Sequence, residues 1–243
     1  MIRDQVAIVT GAAKGLGRHV AQSFVAEGAK VVLADIDIAR LEKVAADLKK
    51  SGSDILAIKA DVRSEGEVQG LVSQTLDRFR RVDILVNNAA VVTHSHWWSS
   101  PWPQIRDMDL DFWRSVIETN LGGTFLCSKH VLPHMRKQSS GHIVNLFGGG
   151  SVKTVGVCAY VVSKEAIRVF TRYLAEEERE RNICVVAITP GSAIATEDAP
   201  AEVHRNFPSL DSLGNGLVLA AEAPMELSGQ LLTLKDGRFE VVG

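Results

Sequence analysis

Thr10-Gly11-Ala12-Ala13-Lys14-Gly15-Leu16-Gly17 stands between a short apolar run, Val6-Ala7-Ile8-Val9, and an amphipathic stretch over 15–28. In that stretch Leu16, Val20, Phe24 and Val25 share one stripe, and Gly28 marks its C-terminal stop, so it reads as a helix. Glycines at this junction permit a tight turn, a close approach of backbone to a pyrophosphate, and close packing of helix on sheet. The helix start adds unpaired N–H groups and the positive end of a dipole. Glycines alone are weak evidence, because any strand-to-helix turn can use them. The context strengthens the reading, since Asp35 ends the next strand, Val31-Val32-Leu33, about 20 residues on. The spacing departs from GxxxxGK[ST], which argues against nucleotide hydrolysis. A carboxylate at Asp35 can bond adenosine ribose hydroxyls and repel a 2′-phosphate, whereas Lys14 could attract one; the Asp lies on the ribose, so NAD is expected.

Outward from this junction, apolar strands keep alternating with helical patterns. A helix is expected over 38–50, a strand at Ile55–Ile58, a helix over 65–79 and a strand at Ile84–Val86. Beyond a Trp-rich loop come a long helix over about 109–137, a strand His142–Leu146 and a helix over 158–181. Strand Ile183–Ile188, a short helix near 211–221 and a last strand Gln230–Leu234 complete the pattern. Continuous apolar strands separated by helices imply an α/β fold, a doubly wound, Rossmann-like parallel sheet covered on both faces. Residues 1–243 read as one dinucleotide-binding and catalytic domain, with ligands expected at the carboxyl ends of the strands.

Composition narrows the classes. The chain has 27 Lys+Arg against 29 Asp+Glu, 46% apolar residues and 23% charged residues, which is ordinary globular composition. A formal charge of −2 gives no pull toward nucleic acid or an anionic membrane, so neither is an expected partner. No apolar run reaches the roughly 18 residues that span a bilayer, and the first residues carry no signal-peptide pattern. Cys127, Cys158 and Cys184 are scattered and read as small buried hydrophobes of a reducing compartment, so a cytoplasmic location is expected. His94-x-His96 lacks a nearby acid or thiol and is not read as a metal site.

Tyr160 and Lys164 lie four apart at a helix start, so phenol and ammonium share a face. A tyrosine is a poor base near its ordinary pKa of about 10, and a neighbouring cation is expected to lower that value. Taken alone, such a pair is more often two surface neighbours.

The glycine stretch 10–17, Asp61-Val62, Asn87-Asn88-Ala89-Ala90, Asn120, Tyr160-x-x-x-Lys164 and Pro190-Gly191 follow one another in order. Together they resemble the short-chain dehydrogenase/reductase family along essentially the whole chain. The resemblance implies that Gly11, Gly15, Leu16 and Gly17 take the pyrophosphate, Asp35 the adenosine ribose, and Asp61 with Val62 the adenine edge. Asn88 and Ala89 would line the way to the nicotinamide ribose, and Pro190-Gly191 with the segment after it would contact the nicotinamide amide. Tyr160 would be the general acid/base, Lys164 would hold the ribose hydroxyls and lower the tyrosine pKa, and Asn120 would anchor a proton-relaying water. The implied activity is an NAD-dependent interconversion of a secondary alcohol and a ketone. The implied assembly is a homodimer or homotetramer built on the helices at 109–137 and 158–181.

The chain departs from the family in places. Ala90 stands where a glycine is usual. More seriously, the serine that normally ends the fifth strand and bonds the substrate oxygen is missing: its place falls on Phe147 or Gly148. Losing one such donor costs on the order of 10²–10³ in rate, which an enzyme can survive. Ser151 behind its pliable glycines, Ser192 or a histidine of the Trp-rich loop could substitute; alternatively the chain binds NAD as a regulator or scaffold whose chemistry has faded. Trp97, Trp98 and Trp102 form either a wall for a bulky or aromatic substrate or a patch packed on the protein itself or a partner subunit. Thr196, one residue out of step, is a loose match to a threonine near the nicotinamide.

Overall fold

The computed structural model describes residues 1–92, 103–148, 155–199, 201–235 and 238–242. Its strands are β1 (Val6–Thr10), β2 (Lys30–Asp35), β3 (Ile55–Lys59), β4 (Ile84–Asn87), β5 (Gly141–Leu146), β6 (Ile183–Thr189), β7 (Leu231–Lys235) and β8 (Arg238–Val242). They form one sheet in the order β3-β2-β1-β4-β5-β6-β7-β8, parallel from β3 through β7 with β8 antiparallel at the edge. The order reverses between β1 and β4, which opens a crevice at the carboxyl ends of these two strands.

The strands sit where they do because both of their faces are covered. Val31 and Leu33 point into one core with Val20 and Phe24 of α1 (Gly15–Ala26) and Leu41 of α2 (Ile38–Lys49). Val32, Leu85 and Ile143 point into the opposite core with Leu71 of α3 (Glu65–Phe79) and Met135 of α5 (Gly123–Gln138). Each such side chain, taken fully out of water, contributes about 1.5–3 kcal/mol. The doubly wound sheet expected from the sequence is therefore present.

The structure refines two of the expected helices and corrects other expectations. The helix expected over 109–137 is α4 (Leu110–Ile117) and α5 joined by a π-helical turn, Glu118–Gly122. The pattern over 158–181 is α6 (Cys158–Glu178) followed by a short 3-10 turn. The helix expected near 211–221 is broken into a 3-10 turn, Leu210–Leu213, and a short α-helix, Gly216–Ala220. Strand β8 and the short α7 (Ala201–Asn206) were not anticipated. Cys127 and Cys184 are buried as expected, but Cys158 is only partly so. Among the described residues, no helix is long and apolar enough to cross a membrane.

Candidate active site

A cavity of about 1220 Å³ opens at the crevice between β1 and β4 and runs across the carboxyl ends of the strands. It is large for a small-molecule pocket and has room for a dinucleotide and a substrate together. The expected site residues Gly11, Asp35, Asp61, Asn88, Tyr160 and Lys164 all line it.

At the dinucleotide end the glycine loop is locked from below. Thr10 Oγ1 accepts the N–H groups of Asn88 and Ala89, both at 3.0 Å, and Asn88 Nδ2 donates to the carbonyls of Thr10 at 2.8 Å and Gly11 at 3.1 Å. Gly11 sits at φ +65°, and a Cβ on Gly17 would overlap the Gly11 carbonyl, so neither position has room for a side chain. Helix α1 begins without a side-chain cap and without an acid in its first turn. By contrast α2, α3 and α4 are capped by Asp37, Ser64 and Asp109. The first-turn amides of α1, which no N-cap side chain takes, are a seat for an anion, which fits a dinucleotide diphosphate. The role of Thr10 went unread, although it lies inside the quoted motif.

Asp35 ends β2 at the rim of this seat. Its Oδ2 accepts the Ala13 N–H at 3.0 Å and its Oδ1 accepts the Asp37 N–H at 3.0 Å, so the carboxylate is held in place by backbone. Asp61 is gripped by Arg63, whose Nε lies 3.0 Å from each carboxylate oxygen, and this grip holds the carboxyl below its ordinary pKa. Val62 packs its side chain against Gly123 at the start of α5.

At the other end, β5 and α6 bring Gly148, Tyr160 and Lys164 together. Lys164 Nζ lies 5.8 Å from the Tyr160 ring centroid and donates to the Leu146 carbonyl at 2.7 Å. Asn120, fully buried in the π-helical turn, accepts the Val91 N–H at 2.8 Å and donates to the Val91 carbonyl and to Ser163 Oγ at 2.9 Å. Ser163 in turn donates to the Tyr160 carbonyl at 2.7 Å, linking the π turn to α6. The sequence reading missed Ser163; its place within one turn of both Tyr160 and Lys164 was the available signal.

The expected depression of the tyrosine pKa is not what this arrangement produces. Burial pushes the Tyr160 phenol up to about 12 and brings the Lys164 ammonium down to about 8. Desolvation penalises the charged form of each.

The two positions that the sequence offered, Phe147 and Gly148, are placed differently. Phe147 is buried against Ala187 and Leu231, while a Cβ on Gly148 would point straight at the Tyr160 hydroxyl. The place facing the phenol is therefore Gly148. Ser192 lines the cavity, with its hydroxyl directed at the Ala193 carbonyl at 3.3 Å. Thr196 lies against Gly15, beside the diphosphate seat. Ser151, His94, His96 and the tryptophans at 97, 98 and 102 fall outside the described residues.

Comparison with known proteins agrees with this geometry. The short chain dehydrogenase family model matches residues 5–206. The chain is 36% identical over 215 residues to a 3-oxoacyl-[acyl-carrier-protein] reductase of Synechocystis sp., covering 86% of this chain and 83% of that protein. It is 34% identical over 190 residues to a (2S)-[(R)-hydroxy(phenyl)methyl]succinyl-CoA dehydrogenase subunit of Thauera aromatica, covering 78% of this chain and 73% of that protein. The crystal structure of a putative short-chain alcohol dehydrogenase from Sinorhizobium meliloti superposes with a TM-score of 0.83 at 25% identity, covering 95% of this chain and 94% of that one. The doubly wound parallel sheet and the family match define an oxidoreductase class that works with a nicotinamide cofactor. This chain belongs to the short-chain dehydrogenase/reductase family.

Proposed function

We propose that this protein is an NAD-dependent oxidoreductase that interconverts a secondary alcohol and a ketone, with residues 1–243 acting as one catalytic domain. The observation that carries the reading is the joint placement of Tyr160 and Lys164 at the end of the cavity that begins at the glycine loop. In this reading Gly11, Gly15, Leu16 and Gly17 hold the diphosphate and Asp35 the adenosine ribose. Asp61 and Val62 border the adenine, and Asn88, Ala89, Pro190 and Gly191 border the nicotinamide half. The nicotinamide supplies or accepts the hydride.

The chain's own residues handle the proton. With its pKa pushed up to about 12, the Tyr160 phenol is protonated at neutral pH, the form that gives a proton to a carbonyl oxygen. Ketone reduction therefore needs no prior ionisation, whereas alcohol oxidation needs the phenolate. Lys164, whose ammonium reaches the Leu146 carbonyl beside the tyrosine, is the group available to turn toward ribose hydroxyls. Asn120 holds the Val91 backbone on the cavity wall, and in this reading a proton-relaying water would be anchored at it. The substrate is a small molecule, and a bulky or aromatic one suits the tryptophans of the 93–102 segment.

Phe125 on α5 and Val162, Val169 and Tyr173 on α6 stay exposed, which supports a homodimer or homotetramer built on these helices. A cytoplasmic location suits the three free thiols. One observation favours a second reading, an NAD-binding regulator with weakened chemistry: Gly148 offers no side-chain donor to a substrate oxygen. A screen of ketones and secondary alcohols, followed by the change in NADH absorbance, tests the proposal. Turnover of at least one class is expected; NADH binding without turnover of any substrate supports the regulator.

A further inference from the structure

The segment that follows β6 returns to the glycine loop and places two acids on it. The Gly15 N–H, in the seat assigned to the diphosphate, donates to Glu197 Oε1 at 2.9 Å, and the Arg18 guanidinium lies 3.8 Å from the same oxygen. Asp198 Oδ2 accepts Arg40 Nη1 at 3.1 Å and lies 3.9 Å from Lys14 Nζ. A carboxylate on a bare helix start is a chemical stand-in for a phosphate, with the same charge sign and the same acceptor geometry. The two acids thus engage the first amide of the seat, at Gly15, and the cations of Lys14, Arg18 and Arg40 that border it.

The contact is anchored by the fold. Ala195 and Ala199 on either side of the acids are buried, the Ala195 N–H donates to the Pro208 carbonyl at 2.8 Å, and Ala199 closes a turn onto Thr196. The acids themselves are partly exposed, 35% for Glu197 and 52% for Asp198. Ion pairs at that exposure are weak enough to exchange for a better anion.

We propose that Glu197 and Asp198 form a displaceable acid latch that occupies the diphosphate seat and the cations of Lys14 and Arg40 until a dinucleotide displaces them. The inference rests on the dinucleotide reading of the glycine loop. The latch makes the binding-competent seat a minority state, so apparent affinity falls by the fraction open. It acts only on ligands that bring a phosphate to this seat.

The test is a set of equilibrium titrations on the full-length protein and its Glu197→Ala and Glu202→Ala variants. The ligands are NADH, ADP-ribose and adenosine, read by NADH fluorescence or calorimetry. Glu202 is exposed on α7 and carries the same charge in the same stretch of chain. Glu197→Ala is expected to bind NADH and ADP-ribose on the order of tenfold more tightly, with adenosine unchanged and with Glu202→Ala indistinguishable from the parent. Unchanged or weaker NADH binding in Glu197→Ala overturns the latch while leaving the dinucleotide reading intact. An equal gain in Glu202→Ala also overturns it, because the effect is then one of net charge. Failure of every variant to bind NADH overturns both the latch and the reading beneath it. A Glu197→Gln variant with parental melting temperature guards against loss of fold, and its affinity for NADH is expected between those of parent and Ala.

Discussion

A Cβ on Gly148 would overlap the hydroxyl oxygen of Tyr160 and stand 3.0 Å from its Cζ. The glycine is therefore what admits the phenol to its present place. Gly148→Ala is expected to push the hydroxyl aside and lower kcat on the order of a hundredfold, since displacements of about 1 Å carry costs of that size. Gly148→Ser moves the ring equally but brings a hydroxyl of its own, so its loss should be smaller. Steady-state kinetics with NADH binding as control checks this; full activity in Gly148→Ala contradicts it.

The cofactor preference turns on Asp35. Its two oxygens accept the Ala13 and Asp37 N–H groups, which fixes a negative charge beside the glycine loop. Asp35→Ala removes the charge that repels a 2′-phosphate and leaves Lys14 and Arg40 lining the same cavity. The ratio of NADPH to NADH affinity is expected to rise on the order of tenfold, the scale of one charge-assisted hydrogen bond. Titration with both reduced cofactors measures it, and an unchanged ratio means the carboxylate is not at the ribose.

Lys164 should leave a signature in the pH dependence of stability. Its folded pKa is brought by burial from 10.5 down to about 8. Between pH 8 and 10 the unfolded chain keeps a proton that the folded protein has released, so stability rises with pH there, by about 3 kcal/mol at most. Above pH 10 Tyr160 acts in the opposite sense, because the folded phenol keeps its proton toward about 12 while the unfolded one ionises. Urea midpoints of the parent and of Lys164→Met, compared from pH 7 to 10, should diverge as the parent gains stability. Parallel curves contradict the burial of a charged amine.

Much of the scaffold could be read from side-chain patterning. Val6–Thr10 is buried along its whole length, and such runs, alternating with stripes like Leu41-Val44-Ala45-Leu48, leave few arrangements other than a doubly wound sheet. The edge strand β8 was hidden because Arg238-Phe239-Glu240-Val241-Val242 is short, half polar and preceded by an ordinary turn sequence. The π turn at Asn120 has no sequence signal, since its residues are individually compatible with an α-helix.

The site was legible where local motifs carry it and illegible where distance or register decides. Whether Phe147 or Gly148 faces Tyr160 depends on the pleat at the end of β5, and a shift of one residue exchanges the two faces. Glu197 meets Gly15 across 182 positions of chain, a pairing that only the closed fold creates. The raised pKa of Tyr160 is of the same kind: spacing showed the cation four residues on, but the burial that raises the pKa is a property of the packed protein.

The most direct measurement is single-turnover reduction of a ketone identified in the screen, with Tyr160→Phe compared to the parent. The phenyl ring keeps the packing against Gly148 and Lys164 while losing the only proton that position can give. The rate is expected to fall by at least a hundredfold, about the usual worth of a general acid, with NADH affinity within about twofold. A Tyr160→Phe variant that turns over ketone at the parent's rate contradicts it.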